Sequence, residues 1–386
     1  MHHFCTRSVG YFDNNMRFAA IILLLLALFG LCRSEFVSPL ALVGIGWGAG
    51  RDMTAKDLNE RENPARKRPE WALFKKQYGK TFFDVVDEEF HARIFEEAEQ
   101  RIREHNEAFK SSETTFTVGI NQFSDFTEKE WLERNPMLPM EDNHKQFIGA
   151  ILHNETEGYI QRQKMATRRP ASVDWRGAGI VNRVKDQGQC GSCYAFSAVA
   201  TLESHYAKKY GKRMDLSEQQ LVDCSRAYGN LGCNGGWMDS CYQYIRDKGG
   251  INQQYTYPYQ AAEGSCRYQS NDARVKVTSY VFIPEHDENA LADAVANVGP
   301  VAVPFDSRTR EFMSYYGGIY YSPSCNPDQT THAVEAIGYG TENGVDYWTL
   351  KNSWGGGWGE GGFFRMKRNI HDQCAIARYS SYPIVA

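Results

Sequence analysis

Gln187-Gly-Gln-Cys-Gly-Ser-Cys-Tyr-Ala-Phe-Ser197 is the stretch on which the reading of this chain turns. Its cysteines, Cys190 and Cys193, stand three apart, a spacing used by redox pairs, zinc ligands and nucleophile loops. A zinc site needs a second closely spaced ligand pair, and none of the other Cys or His residues forms one. A redox pair would follow a strand within a strand–helix–strand unit, a pattern not seen here. The third reading places Cys193 at the first turn of a helix running from Ser192 to about Lys209, with Phe196, Val199, Ala200 and Leu202 on its apolar face. Free N–H groups and the helix dipole favour a thiolate there. The glycines before it let backbone amides approach a substrate carbonyl closely.

A thiol nucleophile requires a base. His332 opens a predicted strand, 331–340, followed by Glu342-Asn-Gly344 and a second strand ending at Asn352. Asn-Gly between apolar runs is a strong hairpin signal. Pairing about a loop at 341–344 puts His332 roughly opposite residue 353, so that Asn352 lands beside it. An Asn carbonyl can accept the imidazole N–H, fixing the ring and leaving its other nitrogen for the thiol.

The rest of the chain sets the context. Its 386 residues suggest two or three folding units, and 42% hydrophobic with 23% charged residues exclude a disordered chain. A mean hydropathy of -0.53 excludes a multi-span membrane protein. A net charge of -4 offers no basic footprint for nucleic acid. Ten cysteines point to an oxidising compartment, and eight of them lie in 170–386. Residues 18–32 form an uncharged apolar run after Arg17, so 1–34 reads as a signal peptide or signal-anchor.

Residues 35–67 read as a variable linker. From 68 to 110 the pattern is helical, with Trp71, Phe74 and Tyr78 on one stripe and Phe90, Ile94, Phe95, Ala98, Ile102 and His105 on another. Residues 119–125 read as a strand-like link, and 127–131 as a short helix beginning at a Thr cap. Residues 135–169 read as an exposed linker bearing the sequon Asn154-Glu-Thr156. Beyond about 275, strands alternate with Gly and Pro turns. Helices first and strands later suggest two lobes of an α+β fold. Met238, Cys241, Tyr242 and Ile245 fall on one helical face, which would bury Cys241 as a small hydrophobe.

The constellation resembles the papain-like cysteine proteases, and within them the cathepsin L-like branch. Beyond Cys193, His332 and Asn352 it rests on Asp174-Trp-Arg176, Leu216-Ser-Glu-Gln219, Gly232-Cys-Asn-Gly-Gly236, Lys351-Asn-Ser-Trp-Gly355 and Trp358-Gly359. His332 and Asn352 stand 139 and 159 residues after Cys193, near the family's known spacing. Tyr194 stands where most members have Trp, and brings a hydroxyl that wants a partner. The resemblance implies a two-lobed fold at 170–386, with a helical left lobe and a β-barrel-like right lobe. A helical inhibitory propeptide at 68–169 precedes it. Glu88, Phe95, Ile102 and Asn106 match one propeptide motif, with Ala92 and Ala98 where Arg and Asn are usual. Gly119, Asn121, Phe123 and Asp125 match a second in full.

By position, the resemblance makes Cys193 the nucleophile and His332 its acid and base. Asn352 orients the ring under Trp354, and Gln187 donates to the oxyanion with the Cys193 N–H. Seven cysteines other than Cys193 remain in 170–386, and six of them pair in fifteen ways from sequence alone. The resemblance selects Cys190–Cys233, Cys224–Cys266 and Cys325–Cys374. It also assigns Gly235, Gly236, Trp237, Met238, Pro304, Thr330, Ala333, Trp358 and Tyr379 to substrate binding. The uncharged second subsite implies an apolar preference, and Tyr379 would shorten the pocket. The only His-His pair is His2-His3, so no occluding insertion is present and endopeptidase action is implied.

The expected protein is therefore a cysteine endopeptidase zymogen of the secretory pathway, lysosomal or extracellular, glycosylated at Asn154. No cofactor or metal is called for. The expected partners are protein or peptide substrates, the chain's own propeptide and cystatin-like inhibitors, with no nucleic acid; the enzyme is expected to be a monomer. Acid is expected to release the propeptide by protonating carboxylates such as Asp125. The competing reading is a catalytically silent papain-fold binding protein.

Overall fold

The computed structural model describes residues 68–134, 136, 151–164 and 169–386. The predicted signal segment and the linker at 35–67 lie outside them. Among the described residues no helix is long and apolar enough to cross a membrane.

The chain begins with α1 (Pro69–Tyr78), whose Pro sits at the first helical turn, where a missing N–H costs nothing. Gly79 closes it in the left-handed conformation. Asp84 caps α2 (Val85–Lys110) by accepting from the N–H groups of Val86 and Asp87. Trp71, Phe74, Ala92 and Phe95 form a small core between these helices. Truncating Trp71 to Ala would cost about 3–5 kcal/mol there. Ile94, Phe95 and Ala98 of the predicted stripe are buried, but Phe90 faces solvent while Ala92 is fully buried. The strand of this region, β1 (Phe116–Val118), precedes the predicted link, in which 122–125 form a turn. Thr127 then caps α3 (Glu128–Arg134) reciprocally with Glu130.

The region read as an exposed linker is partly structured. β2 (Ile151–Leu152) and α4 (Glu157–Lys164) flank a short turn of helix at His153–Glu155. Polar composition concealed this, because the segment is ordered by what it touches.

The remaining strands are β3 (Val173–Asp174), β4 (Ile251–Asn252), β5 (Ala273–Val275), β6 (Val277–Phe282), β7 (Val301–Phe305) and β8 (Tyr315–Tyr320). β9 (His332–Glu342), β10 (Val345–Lys351), β11 (Phe363–Lys367) and β12 (Ser381–Val385) complete them. The helical lobe comprises α5 (Cys193–Tyr210), α6 (Glu218–Cys224) and α7 (Met238–Lys248). It packs a core that includes Tyr194, Val199, Leu202, Leu221, Tyr242 and Ile245. A second core lies in the strand-rich lobe, around Val303, Phe305, Phe312, Trp348, Leu350 and Phe364. α8 (Glu288–Asp293) covers part of it.

The main sheet runs β1-β8-β11-β10-β9-β7-β12-β6-β2, with β3 added to β9. This path is open, so the expected barrel-like lobe does not close. Both of its terminal strands, β1 and β2, come from residues preceding 170.

Disulfides join Cys190 to Cys233, Cys224 to Cys266 and Cys325 to Cys374. Cys193 and Cys241 are free and buried. Cys241 shares its helix face with Met238, Tyr242 and Ile245, and its sulfur accepts from Asn230 Nδ2 at 3.4 Å.

Candidate active site

Cys193 opens α5, and its thiol is met by its own backbone N–H, that of Tyr194 and that of Ala333. The last contact brings it beside His332, the first residue of β9. α5 is pinned to that strand by Ser197 Oγ, which donates to Val334 O at 2.7 Å, and by Ser204 Oγ, which donates to Glu335 at 2.6 Å. Helix and strand thus fix the thiol relative to the imidazole.

The hairpin that carries Asn352 differs in register from the sequence expectation. Its turn is two residues, Asn343 and Gly344, both with positive φ; Val345 pairs with Glu342 and, past a bulge, Lys351 pairs with Glu335. Continued pairing would bring Trp354, not residue 353, opposite His332. Asn352 leaves the ladder and donates its N–H to Gly362 O, yet its Oδ1 lies 2.8 Å from His332 Nε2. The Trp354 ring stacks on the imidazole at 4.5 Å between centroids. His332 Nδ1 has no hydrogen-bond partner, so it is the nitrogen available to the thiol.

Gln187 is fully buried. Its Nε2 donates to Cys190 O at 3.0 Å, and its Oε1 accepts from Ser353 Oγ at 2.7 Å. Ser353, quoted within a motif but given no role from sequence, thus sets the rotamer of Gln187. Tyr194 OH finds its partner in Gly232 O at 2.9 Å. Gly191 approaches the Cys233 carbonyl so closely that a Cβ there would lie 2.4 Å from it.

The site is covered from the N-terminal side of the chain. Phe123 and Trp131 meet the Trp354 ring edge-on at 5.5 and 4.9 Å. Gln122 donates to Trp354 O, and Pro136 lies against Gly191. Arg134, unremarked in the sequence, is buried over the Phe123 ring and reaches Gln189 and Asp186. Under this cover burial pushes the Cys193 thiol up to about 12. It pulls the His332 imidazole down to about 3, helped by the charge of Arg134. The covered pair is held neutral.

Of the predicted substrate contacts, Trp237 and Tyr379 meet edge-on at 5.5 Å. Tyr379 is held at a φ of 55°, a left-handed conformation uncommon for an aromatic residue. Met238 and Ala333 are buried in the same core, and Pro304 pairs with Ala333 across β7 and β9. Thr330 is half-buried just before β9. Gly235 has a φ of 98°, and Gly236 lies against Asn230. Trp358, also assigned to substrate binding, lies among aromatic side chains. It is fully buried behind Trp354, between Phe312, Tyr315 and Phe364, and donates to Met313 O. It props Trp354 from behind. Asn154 is exposed. No cluster of metal-ligating residues occurs among the described residues.

The expectation for Asp125 also changes. Its carboxylate accepts from Lys80 Nζ at 2.6 Å, and Lys75 pairs with Glu88. Two lysines therefore answer the carboxylates left without the usual Arg at Ala92. Burial raises the Asp125 pKa despite Lys80, so the packed state holds that proton more tightly than the unpacked one. Through Asp125 alone, acid favours packing and does not release it.

The chain matches the model of the papain family cysteine proteases over residues 169–384 and that of the cathepsin propeptide inhibitor domain over 71–131. Digestive cysteine proteinase 2 of Homarus americanus is 40% identical over 317 residues, 82% of this chain and 95% of the relative. Cathepsin L of Sarcophaga peregrina is 40% identical over 324 residues, 82% of this chain and 93% of its own. Among solved structures, digestive procathepsin L2 proteinase from Tenebrio molitor larval midgut superposes with a TM-score of 0.74 at 40% identity, covering 81% of this chain and 98% of that one.

Proposed function

The chain belongs to the papain family of cysteine proteases, as a zymogen of the cathepsin L type, and on that premise we propose the part each residue plays. The inhibitor domain fused to the enzyme inhibits it intramolecularly, and its substrates are proteins. The inhibitory segment spans 68–169 and the enzyme 170–386.

The observation that carries the assignment is the asymmetry of the His332 ring, with Nε2 bound to Asn352 and Nδ1 left without a hydrogen-bond partner. Once uncovered, Cys193 and His332 form a thiolate–imidazolium pair. Sγ attacks the scissile carbonyl, and the C–S bond forms as the carbonyl electrons move to oxygen. The Cys193 N–H and the second N–H of the Gln187 amide, beyond the one given to Cys190 O, receive the oxyanion. His332 protonates the leaving amine as the C–N bond breaks, leaving a thioester. It then takes a proton from water, whose oxygen displaces Cys193 as the acid product leaves. Asn352 and Trp354 hold the ring throughout.

Gly235 and Gly236 pair with an extended substrate backbone. Trp237, Met238, Pro304, Thr330, Ala333 and Tyr379 form the second subsite. The Trp237–Tyr379 contact supports a shortened apolar pocket that favours Val, Leu or Pro over Phe. The enzyme acts as an endopeptidase and a monomer in the secretory pathway, lysosomal or extracellular, with cystatin-like inhibitors as competitors for the cleft. Exposed Asn154 is the glycan acceptor.

The test is acid incubation of the purified zymogen, then labelling with an epoxide thiol-protease inactivator and mass spectrometry. One label per processed chain, on Cys193, is the expected result. A folded, processed chain that takes no label would mean the triad is not assembled.

A further inference from the structure

We propose that residues 151–164 form a strap that stays on the catalytic domain, at a site apart from the cleft, after the inhibitory part of the propeptide has been cut away. The inference rests on the reading of the chain as a self-processing zymogen. Residues 132–168 fall between the two stretches matched by the family models, so neither match accounts for this segment.

The site is built around one carboxylate. Asp293, at the end of α8, is buried, and its oxygens accept from His153 Nε2 at 3.1 Å and from Arg162 Nε at 3.1 and 3.3 Å. Both of these partners belong to the strap. Among the described residues, the catalytic domain supplies Asp293 with the Asn297 amide, at 3.0 Å. Removing the strap would leave this carboxylate without its ionic partners.

His153 is fully buried, with Nδ1 3.0 Å from Tyr382 OH and its ring met edge-on by Tyr159. Beside it Ile151 and Leu152 pair in parallel with Val281 and Phe282. They close the edge of the sheet at β6, an edge that would otherwise present unpaired backbone groups. Strand pairing, a buried imidazole and a forked Arg–carboxylate contact thus converge within fourteen residues. None of them touches Cys193, His332 or the residues assigned to the subsites.

The contrast with Asp125 gives the strap a different response to acid. His153 faces Asp293 and Tyr382, and Asp293 also faces Arg162. Its two basic partners hold the Asp293 carboxyl down at about 2. The pairing therefore persists as pH falls from 7 to 4.5, because Asp293 stays ionised over that range.

The test uses the acid-matured, epoxide-labelled enzyme, gel-filtered at the maturation pH and then weighed under denaturing conditions. The label on Cys193 reports the protease reading separately. A fragment containing 151–164 in about one-to-one ratio with labelled enzyme, or a mature chain beginning upstream of residue 151, is expected. The His153→Ala/Arg162→Ala zymogen should retain about tenfold less of the segment. Labelled wild-type enzyme that begins near Pro170 and carries no fragment would overturn the proposal. So would equal retention by the double variant. Should that variant fail to fold, a synthetic 151–164 peptide and its doubly substituted form can be compared for binding to labelled enzyme stripped in denaturant and refolded. Binding that is absent, or equal for both peptides, would likewise count against the strap.

Discussion

His332 Nε2 lies 2.8 Å from Asn352 Oδ1, although β10 ends at Lys351 and the ladder register does not pair the two residues. The contact depends on the turn of chain after the strand, held by the Asn352 N–H on Gly362 O. Replacing Asn352 with Ala removes an acceptor that stabilises the imidazolium. The mature enzyme should lose about 1.5–3 kcal/mol of transition-state stabilisation, roughly 10- to 150-fold in kcat/KM. Because this hydrogen bond raises the His332 pKa, the alkaline limb of the pH–rate profile should move to lower pH. Steady-state kinetics on a short fluorogenic peptide would check both, and an unmoved limb would argue that Asn352 acts only in folding.

The Gln187 amide is clasped by Ser353 Oγ and Cys190 O. Gln187→Ala should lower kcat by about 10²–10³, the usual loss for one oxyanion donor, with labelling of Cys193 preserved. Ser353→Ala should show a smaller loss in kcat, because the Gln187 rotamer loosens while the donor remains.

Asp125 should not be the acid trigger of propeptide release. Covering the site pulls the His332 imidazole down to about 3 and pushes the Cys193 thiol up, so the covered pair holds its one proton on sulfur. The uncovered thiolate–imidazolium pair holds the same single proton on the ring, so opening the catalytic pair takes up no net proton and gives docking no pH dependence of its own. Asp125, whose pKa burial raises, makes docking stronger in acid. Maturation rates of the wild-type and Asp125→Asn zymogens, compared at pH 4.5 and 7, should show the same acid acceleration. Loss of the acceleration in the variant would restore Asp125 as the trigger.

Lys80 is the counter-charge that Asp125 meets in the propeptide, and it also lies over the Phe126 ring. Lys80→Ala leaves a buried acceptor short of a partner, at a cost of about 1–3 kcal/mol. The zymogen should mature several-fold faster at a fixed pH. An unchanged rate would mean that the ion pair contributes nothing to docking.

Tyr379 meets the Trp237 ring edge-on at the proposed second subsite. Tyr379→Ala should raise kcat/KM for Phe-bearing over Val-bearing peptides by about tenfold, within the range hydrophobic pockets discriminate. A peptide-library profile unchanged by the substitution would place the selective wall elsewhere.

What the sequence by itself determined was local. Cys193 at a helix start, the Asn-Gly hairpin and the buried face of Met238, Cys241, Tyr242 and Ile245 follow from periodicity and turn chemistry, which act over a few residues. The motif match added the role of Gln187 and the pairing of the cysteines, because those positions are tied together in the family. The tertiary structure alone decided the remainder. Phe90 turned outward and Ala92 inward because α1 packs against one particular face of α2. Asn352 reached His332 through a loop and not through pairing. Trp358 went behind Trp354 because the aromatic core had room for it there. Residues 151–164, polar and unpatterned, became ordered only because Asp293, Tyr382 and the edge of β6 lie more than a hundred residues further along the chain. Short-range patterns register a residue's neighbours in sequence. A buried carboxylate awaiting its cations is a neighbour in space alone.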